Sequence, residues 1–310
     1  MSGVVIHESS PSMTSECKTP VESLFSKVRD LRGRSRQEVL GRIRKFLRKR
    51  GNARSTNYAM QVIEQRGRSD ADTLHQLLRT LIALIPIAPA APVAPTDGRS
   101  MSRLKDVEHE LKLVAAAIGN NCTYIDIGCS EGSITEAIAK TLGLSPDKAL
   151  ACDPVNQEPN DAFTFTQSDG NSLPYEDGTA DVTTMFMSAH HFADATRMFE
   201  EANRVTKPGG FLLMREHNIP FPAMSVYYDV AHALYACVFG IEQTPEEFVA
   251  QYSEGEYAYY RSDKEWVSLA ALHGFHPCTT PHGPYYNGKE VRDQFDSFYI
   301  LFSKRDEGAP

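Results

Sequence analysis

The chain has 310 residues, 41% of them hydrophobic, and a formal net charge of −8, enough apolar content to bury a large core plus an appendage. Its six cysteines, Cys17, Cys122, Cys129, Cys152, Cys237 and Cys278, form no C-x-x-C pair, which excludes a zinc cluster or a redox motif of that type. The most apolar run, Leu81 to Ile87, is too short to span a bilayer and is cut by Pro86, which excludes a transmembrane helix there.

Residues 1–20 are rich in Ser, Thr and Pro and read as a disordered tail. Residues 21–85 read as a basic helical extension. Between Lys27 and Arg54 lie twelve cations, opposed only by Asp30 and Glu38, so the rest of the chain is clearly acidic. Val39, Leu40, Ile43, Phe46 and Leu47 follow helical spacing, with Arg42, Arg44, Lys45, Arg48 and Lys49 around them. Leu74, Leu77, Leu78, Leu81, Ile82 and Ile85 predict a second helix from Asp70 to Ile85, with Asp70 as its N-cap. Residues 86–99 are a Pro-rich linker. Their proline spacing matches polyproline II and reads as a stiff spacer that makes the pieces on either side separable.

Residues 100–305 carry alternating strands and helices. A helix is expected over Arg103–Ile118, then a buried strand running into the turn Asp126-Ile127-Gly128-Cys129-Ser130-Glu131-Gly132 and a helix. Such a turn brings a ligand close to bare backbone. A dinucleotide site wants G-x-G-x-x-G, but Ser130 holds the second glycine position and Asp126 places a carboxylate before the turn. A carboxylate repels a pyrophosphate and suits a ligand with a cationic amino-acid end. Lys148 to Pro154 forms a second strand, putting Asp153 25 residues after Gly128, where a ribose-binding acid falls. A third strand, Phe163–Gln167, precedes Ser168-Asp169-Gly170-Asn171. Leu173-Pro174 through Asp177 and Asp181 lead into a strand from Thr183 to Ser188. Arg204-Val205-Thr206-Lys207-Pro208-Gly209-Gly210 opens a fifth strand. Residues 219–263 read as an insertion with a helix over Ala223–Phe239 and an aromatic stretch, Tyr257, Tyr259 and Tyr260. A helix over Lys264–His273 and strands near His276–Thr279 and Ser297–Ser303 follow.

These motifs, in this order, resemble the class I S-adenosylmethionine-dependent methyltransferases. The closest likeness is to the broad methyltransferase-domain group with D-x-G-x-x-x-G, L-P-x-x-D-x-x-x-D and R-V-x-K-P-G-G signatures, and it covers roughly Ser102 to Lys304. The resemblance implies an α/β fold, a Rossmann-like seven-stranded sheet with helices on both faces and an antiparallel last strand, and S-adenosyl-L-methionine as cofactor. In that reading Asp126 and Gly128 hold the methionine end and Gly132 lets the helix approach. Asp153 accepts from the ribose hydroxyls, Asp169 meets the adenine amino group, Gly170 or Asn171 gives a backbone N–H to the ring, and Ser188 is a further cofactor-binding residue.

The acceptor is expected beyond the carboxyl ends of strands four and five, where His190, His191, Glu216 and His217 converge. The histidines are base candidates and Glu216 could orient one of them. A metal site from His190, His191 and His217 is not expected, because adjacent histidines point in different directions and transfer from a sulfonium needs no metal.

The acceptor class stays open. An Asn/Asp-Pro-Pro-aromatic turn, a nucleophilic cysteine and a Lys-Asp-Lys-Glu set are all missing from the region of strand four, which argues against exocyclic base-amine, cytosine-C5 and ribose-2′-O methylation. What remains is O-, N- or C-methylation of a small molecule, or guanine-N7 methylation. The basic segment 27–54 fits RNA phosphates, an anionic membrane or a protein partner. An RNA or mRNA-cap enzyme of viral type is therefore one alternative, and a non-catalytic docking protein is another. The chain shows no secretory signal, so the cysteines are expected as reduced thiols in a cytoplasmic protein.

Overall fold

The computed structural model describes residues 23–84, 111, 115–116, 121–156, 159–239, 243–253, 258–280, 283–284 and 297–305. The tail 1–20, the linker 86–99, most of the helix expected over 103–118 and Tyr257 lie outside the described residues.

Four helices open the described chain: α1 (Leu24–Asp30), α2 (Gly33–Arg48), α3 (Ala53–Glu64) and α4 (Asp70–Leu84). In α2 the residues Val39, Ile43, Phe46 and Leu47 are buried, as their spacing requires. Asp70 is not used as expected. It is the first residue of α4, but its carboxylate serves the start of α1, accepting from Ser23 Oγ (2.7 Å), Leu24 N (2.6 Å) and Phe25 N (3.0 Å). Ser69 does the local capping, accepting from Asp72 N at 3.1 Å. Asp70→Ala would strand two buried N–H donors. It should lower stability by about 2–3 kcal/mol, read as a shift of the urea midpoint at unchanged slope. An unchanged midpoint would show that water replaces the carboxylate there.

The second layer is a seven-stranded sheet of β1 (Tyr124–Ile127), β2 (Ala149–Asp153), β3 (Thr164–Gln167), β4 (Ala180–Phe186), β5 (Thr206–His217), β6 (Phe275–Pro277) and β9 (Ser297–Lys304), in the order β3-β2-β1-β4-β5-β9-β6. The pairs from β3 to β5 are parallel, and β9 runs antiparallel to both β5 and β6. A short hairpin, β7 (Thr279–Thr280) and β8 (Gly283–Pro284), stands apart. Between these come α5 (Ser133–Leu142), α6 (Ala195–Val205), α7 (Met224–Leu234) with a π-helical turn (Tyr235–Phe239), α8 (Pro245–Ser253) and α9 (Asp263–Leu272).

Alternate residues of each strand face opposite sides. Ile125, Ile127, Leu212, Met214, Ile300 and Phe302 pack with Phe199 of α6 and Trp266 of α9. Tyr124, Val182, Leu213 and Leu301 pack with Ile138 of α5. Both faces of the sheet are thus covered, as a parallel sheet requires.

Two of the signature motifs hold this scaffold together. Arg204 donates to the carbonyls of Leu173 (3.0 Å) and Tyr175 (2.7 Å) and to Asp177 and Glu201. That bond to Arg204 is the first cause holding the Glu201 carboxyl below its usual range. Lys207 reaches Asp181 at 2.8 Å, and Asp181 also accepts from Thr123 N. The L-P-x-x-D-x-x-x-D and R-V-x-K-P-G-G segments are each other's partners.

The N-terminal helices are not a free arm. Phe25, Ile43, Phe46, Met60, Leu74 and Leu77 share one apolar core with Tyr227, Val230 and Leu234 of α7 and Phe248 of α8. Arg50 lies over the rings of Phe46 (3.9 Å), Tyr235 (4.6 Å) and Phe239 (5.5 Å), a cation–π stitch between extension and insertion. The extension and the insertion therefore make one helical cap. Half of the twelve cations are tied into it: Lys27 bonds Tyr252, Arg29 the carbonyls of Phe25 and Gln65, Arg36 pairs with Glu64, Arg42 with Glu38, and Arg44 bonds Asn57, besides Arg50. No helix among the described residues is long and apolar enough to cross a membrane.

Candidate active site

A cleft of about 570 Å³ opens at the carboxyl ends of β1, β2 and β4. Its floor is the turn after β1. Gly128 has φ of 79°, and a Cβ added there would lie 2.4 Å from Ser188 Cβ; Gly132 has φ of 77°, and its missing Cβ leaves room for the Phe163 ring. Only glycine fits either position. Ser188 lines the cleft and donates to the carbonyl of Ile127 at 2.8 Å. Two non-glycine residues here are also left-handed, Ser130 (φ 49°) and Met187 (φ 59°). Such backbone costs about 1–3 kcal/mol per residue and clusters at functional sites.

Asp153, at the end of β2, faces this cleft, and its carboxylate is already positioned by Ser130 N (2.9 Å) and Val155 N (3.0 Å). Asp169 lines the cleft too. Its carboxyl is held below the usual range, first by the backbone N–H of Asn171, 2.9 Å from Oδ1. Gly170 backs directly onto Phe192, whose ring contributes an apolar wall. Two carboxylates with an aromatic wall and a glycine floor fit a nucleoside ligand that carries ribose hydroxyls and an exocyclic amine.

Asp126 sits elsewhere. It is 2% exposed, and its two oxygens accept from Thr184 (2.7 Å) and Thr135 (2.6 Å). Burial raises its carboxyl above the usual range, against the bonds from Thr135, Thr184 and Tyr124. Its observed work is to tie β1 to β4 and α5 beneath the turn, so it holds the turn rather than lining the cleft. Glu131 accepts from the hydroxyls of Ser130 and Ser133 at the start of α5.

The four residues expected at the acceptor end divide into two groups. His191 lines the cleft, together with Gln251 of α8 and Tyr259 from the insertion. His190 lies behind it, 1% exposed, with its ring 4.2 Å from that of His191. Its Nδ1 lies 2.7 Å from Glu216 Oε2, and Glu216 also accepts from the backbone N–H groups of His190 and His217. His217 is 3% exposed and packs 4.1 Å, ring to ring, from Tyr228. Burial first, then the neighbouring His190, His232, Arg215 and His191, push its imidazole well below the ordinary value. His232 of α7 joins this group and is lowered likewise, by burial and by His190 and His191. Its Nδ1 meets Tyr260 Oη at 2.8 Å.

The sequence reading did not single out His232, Met187 or Gln251. A lone histidine on an apolar helix reads as core, and nothing local reports that α7 crosses the end of β5. Tyr259 and Tyr260 stood out only as an aromatic stretch. Tyr259 lines the cleft while Tyr260 faces the buried histidines, as alternate residues of extended chain do.

A family model described as "Methyltransferase domain" matches residues 125–214. An uncharacterized methyltransferase of Mycolicibacterium gilvum is 31% identical over 98 residues, covering 30% of this chain and 38% of that protein. The uncharacterized methyltransferase YcgJ of Bacillus subtilis is 26% identical over 143 residues, covering 44% of this chain and 56% of that protein. A 2-methyl-6-phytyl-1,4-hydroquinone methyltransferase of Synechocystis is 28% identical over 103 residues, covering 31% and 32%. The chain thus spans less than two thirds of the length of each of these relatives. With the strand order and the carboxylates at the ends of β2 and β3, the match places residues 125–214 of this chain in the class I S-adenosylmethionine-dependent methyltransferase family.

Proposed function

We propose that the protein is an S-adenosylmethionine-dependent methyltransferase acting on a small-molecule acceptor held under the helical cap. The observation that carries this reading is that the cap supplies part of the cleft wall: Gln251 and Tyr259 line it together with His191. A cleft walled on one side by the cap suits a compact acceptor better than a long polymer. The hydroquinone acceptor named for the Synechocystis relative is of the same class.

Asp153 would hold the ribose and Asp169 the adenine edge, with Phe192 against the ring. When bound, S-adenosylmethionine supplies a methyl group already activated by its sulfonium. The residues of the chain then have to align the acceptor and, for an acceptor that must lose a proton, take that proton. His191 is the histidine placed to do so, because it lines the cleft while His190 and His217 are buried behind it. His191→Ala should leave cofactor affinity nearly intact and lower turnover about 10²-fold or more. Wild-type turnover in the variant would mean that the acceptor reacts without a base.

The acceptor class is tested by incubating the protein with methyl-labelled cofactor and two pools, total RNA and cell metabolites. Label is expected in the metabolite fraction. Label in RNA, with binding that weakens steeply as salt rises, would replace this reading with an RNA methyltransferase that uses the exposed cations Arg32, Arg34, Lys45, Arg48, Lys49 and Arg54. Failure to bind S-adenosylmethionine would leave a docking protein.

A further inference from the structure

We propose that His190, His217 and His232 bind one divalent transition-metal ion of the zinc class, which fastens the helical cap to the end of the sheet. One ligand nitrogen from each ring lies within 4.8 Å of the others. The three come from separate pieces of structure: the turn after β4, the last residue of β5, and α7 in the cap.

The outer bonds of the rings carry the argument. His190 Nδ1 is held by Glu216 at 2.7 Å and His232 Nδ1 by Tyr260 Oη at 2.8 Å. The Glu216 bond occupies one nitrogen of the His190 ring, which leaves its Nε2 as the ligand nitrogen. A carboxylate or hydroxyl behind a histidine is the arrangement that orients metal-binding imidazoles and raises their basicity. His190 Nε2 and both ring nitrogens of His217 are buried without a hydrogen-bond partner. Leaving a buried polar atom unsatisfied costs about 1–3 kcal/mol, and a metal ion would take the lone pairs of His190 Nε2 and of one His217 nitrogen, the other His217 nitrogen carrying the ring proton.

Charge points the same way. The Glu216 carboxylate is fully buried, and its side-chain partner is the His190 ring at 2.7 Å. A dipositive ion on the far side of that ring would balance it. Three imidazoles without a thiolate suit zinc and its first-row neighbours, and three protein ligands leave the fourth tetrahedral position open. Tetrahedral zinc places its nitrogens about 3.3 Å apart, so the ligand atoms would close by up to about 1.5 Å on binding. His191 is adjacent in sequence but lines the cleft, and it is not part of the set.

The test is metal content. Untagged full-length protein, expressed in metal-replete medium and dialysed, is analysed by mass spectrometry for metals. The metal-stripped protein is then titrated with cobalt(II) by visible absorption. About one metal per chain and a saturable cobalt band are expected. His217→Ala and His232→Ala should each abolish both, Glu216→Gln should weaken cobalt affinity roughly 10–100-fold, and His191→Ala should retain the metal. The wild-type readings decide the matter even where a variant fails to fold. Metal-free wild-type protein with no cobalt band would overturn the proposal, as would stoichiometric metal retained in the folded His217→Ala or His232→Ala variant. None of these readings depends on methyl transfer.

Discussion

A chain beginning at residue 85 is expected to aggregate and to lose cofactor binding. Deletion of residues 1–84 strips the cap of α1 to α4 and exposes the faces of Tyr227, Val230, Leu234 and Phe248 that they bury. Each large apolar side chain brought into water costs about 1.5–3 kcal/mol, so a handful of them matches the whole stability of an ordinary domain, about 5–15 kcal/mol. Exposure of one contiguous apolar face also drives association. Cofactor binding suffers because Gln251 and Tyr259, which line the cleft, belong to the same insertion. Size-exclusion chromatography and a thermal melt of the truncated chain would check this. A soluble monomer with intact cofactor affinity would show instead that the sheet domain stands alone, as the proline-rich spacer suggested from sequence.

The second large effect is expected at Asp153. Asp153→Ala should weaken S-adenosylmethionine binding by about 2–3 kcal/mol, because a charged acceptor to the ribose is removed from the cleft. The same change removes the acceptor for Ser130 N, which helps hold Ser130 in its left-handed conformation. Asp153→Asn keeps the shape, and should fall between alanine and wild type. The melting temperature of each variant separates loss of fold from loss of ligand. Equal affinity of Asp153→Ala and wild type would remove Asp153 from the cofactor site.

The sheet was legible because its strands are short apolar runs followed by glycine turns or acids, and local pattern is enough to find those. The turn at Gly128, Asp153 at the end of β2 and Asp169 after β3 all reach one cleft, as their positions after consecutive strands require. The burial of Asp126 was not legible, because sequence does not report which way an acid at a strand end points. Thr135 and Thr184, 9 and 58 residues away, decide it. The tied cations of the basic segment were hidden for the same reason. Counting Lys27, Arg29, Arg36 and Arg50 as surface charge ignores Tyr252, the Phe25 and Gln65 carbonyls, Glu64 and three aromatic rings, contacts that only the folded cap creates. His191 differs from His190 and His217 in exposure, not in distance: the His190 and His191 rings lie 4.2 Å apart across the turn Ala189–His191, yet only His191 lines the cleft, and packing that local sequence does not report decides which is buried.

The central claim is that this cleft binds S-adenosylmethionine, and calorimetric titration of the full-length protein tests it most directly. One equivalent of S-adenosylmethionine should bind saturably, with no heat on adding NAD. Saturable NAD binding with no response to S-adenosylmethionine would contradict it.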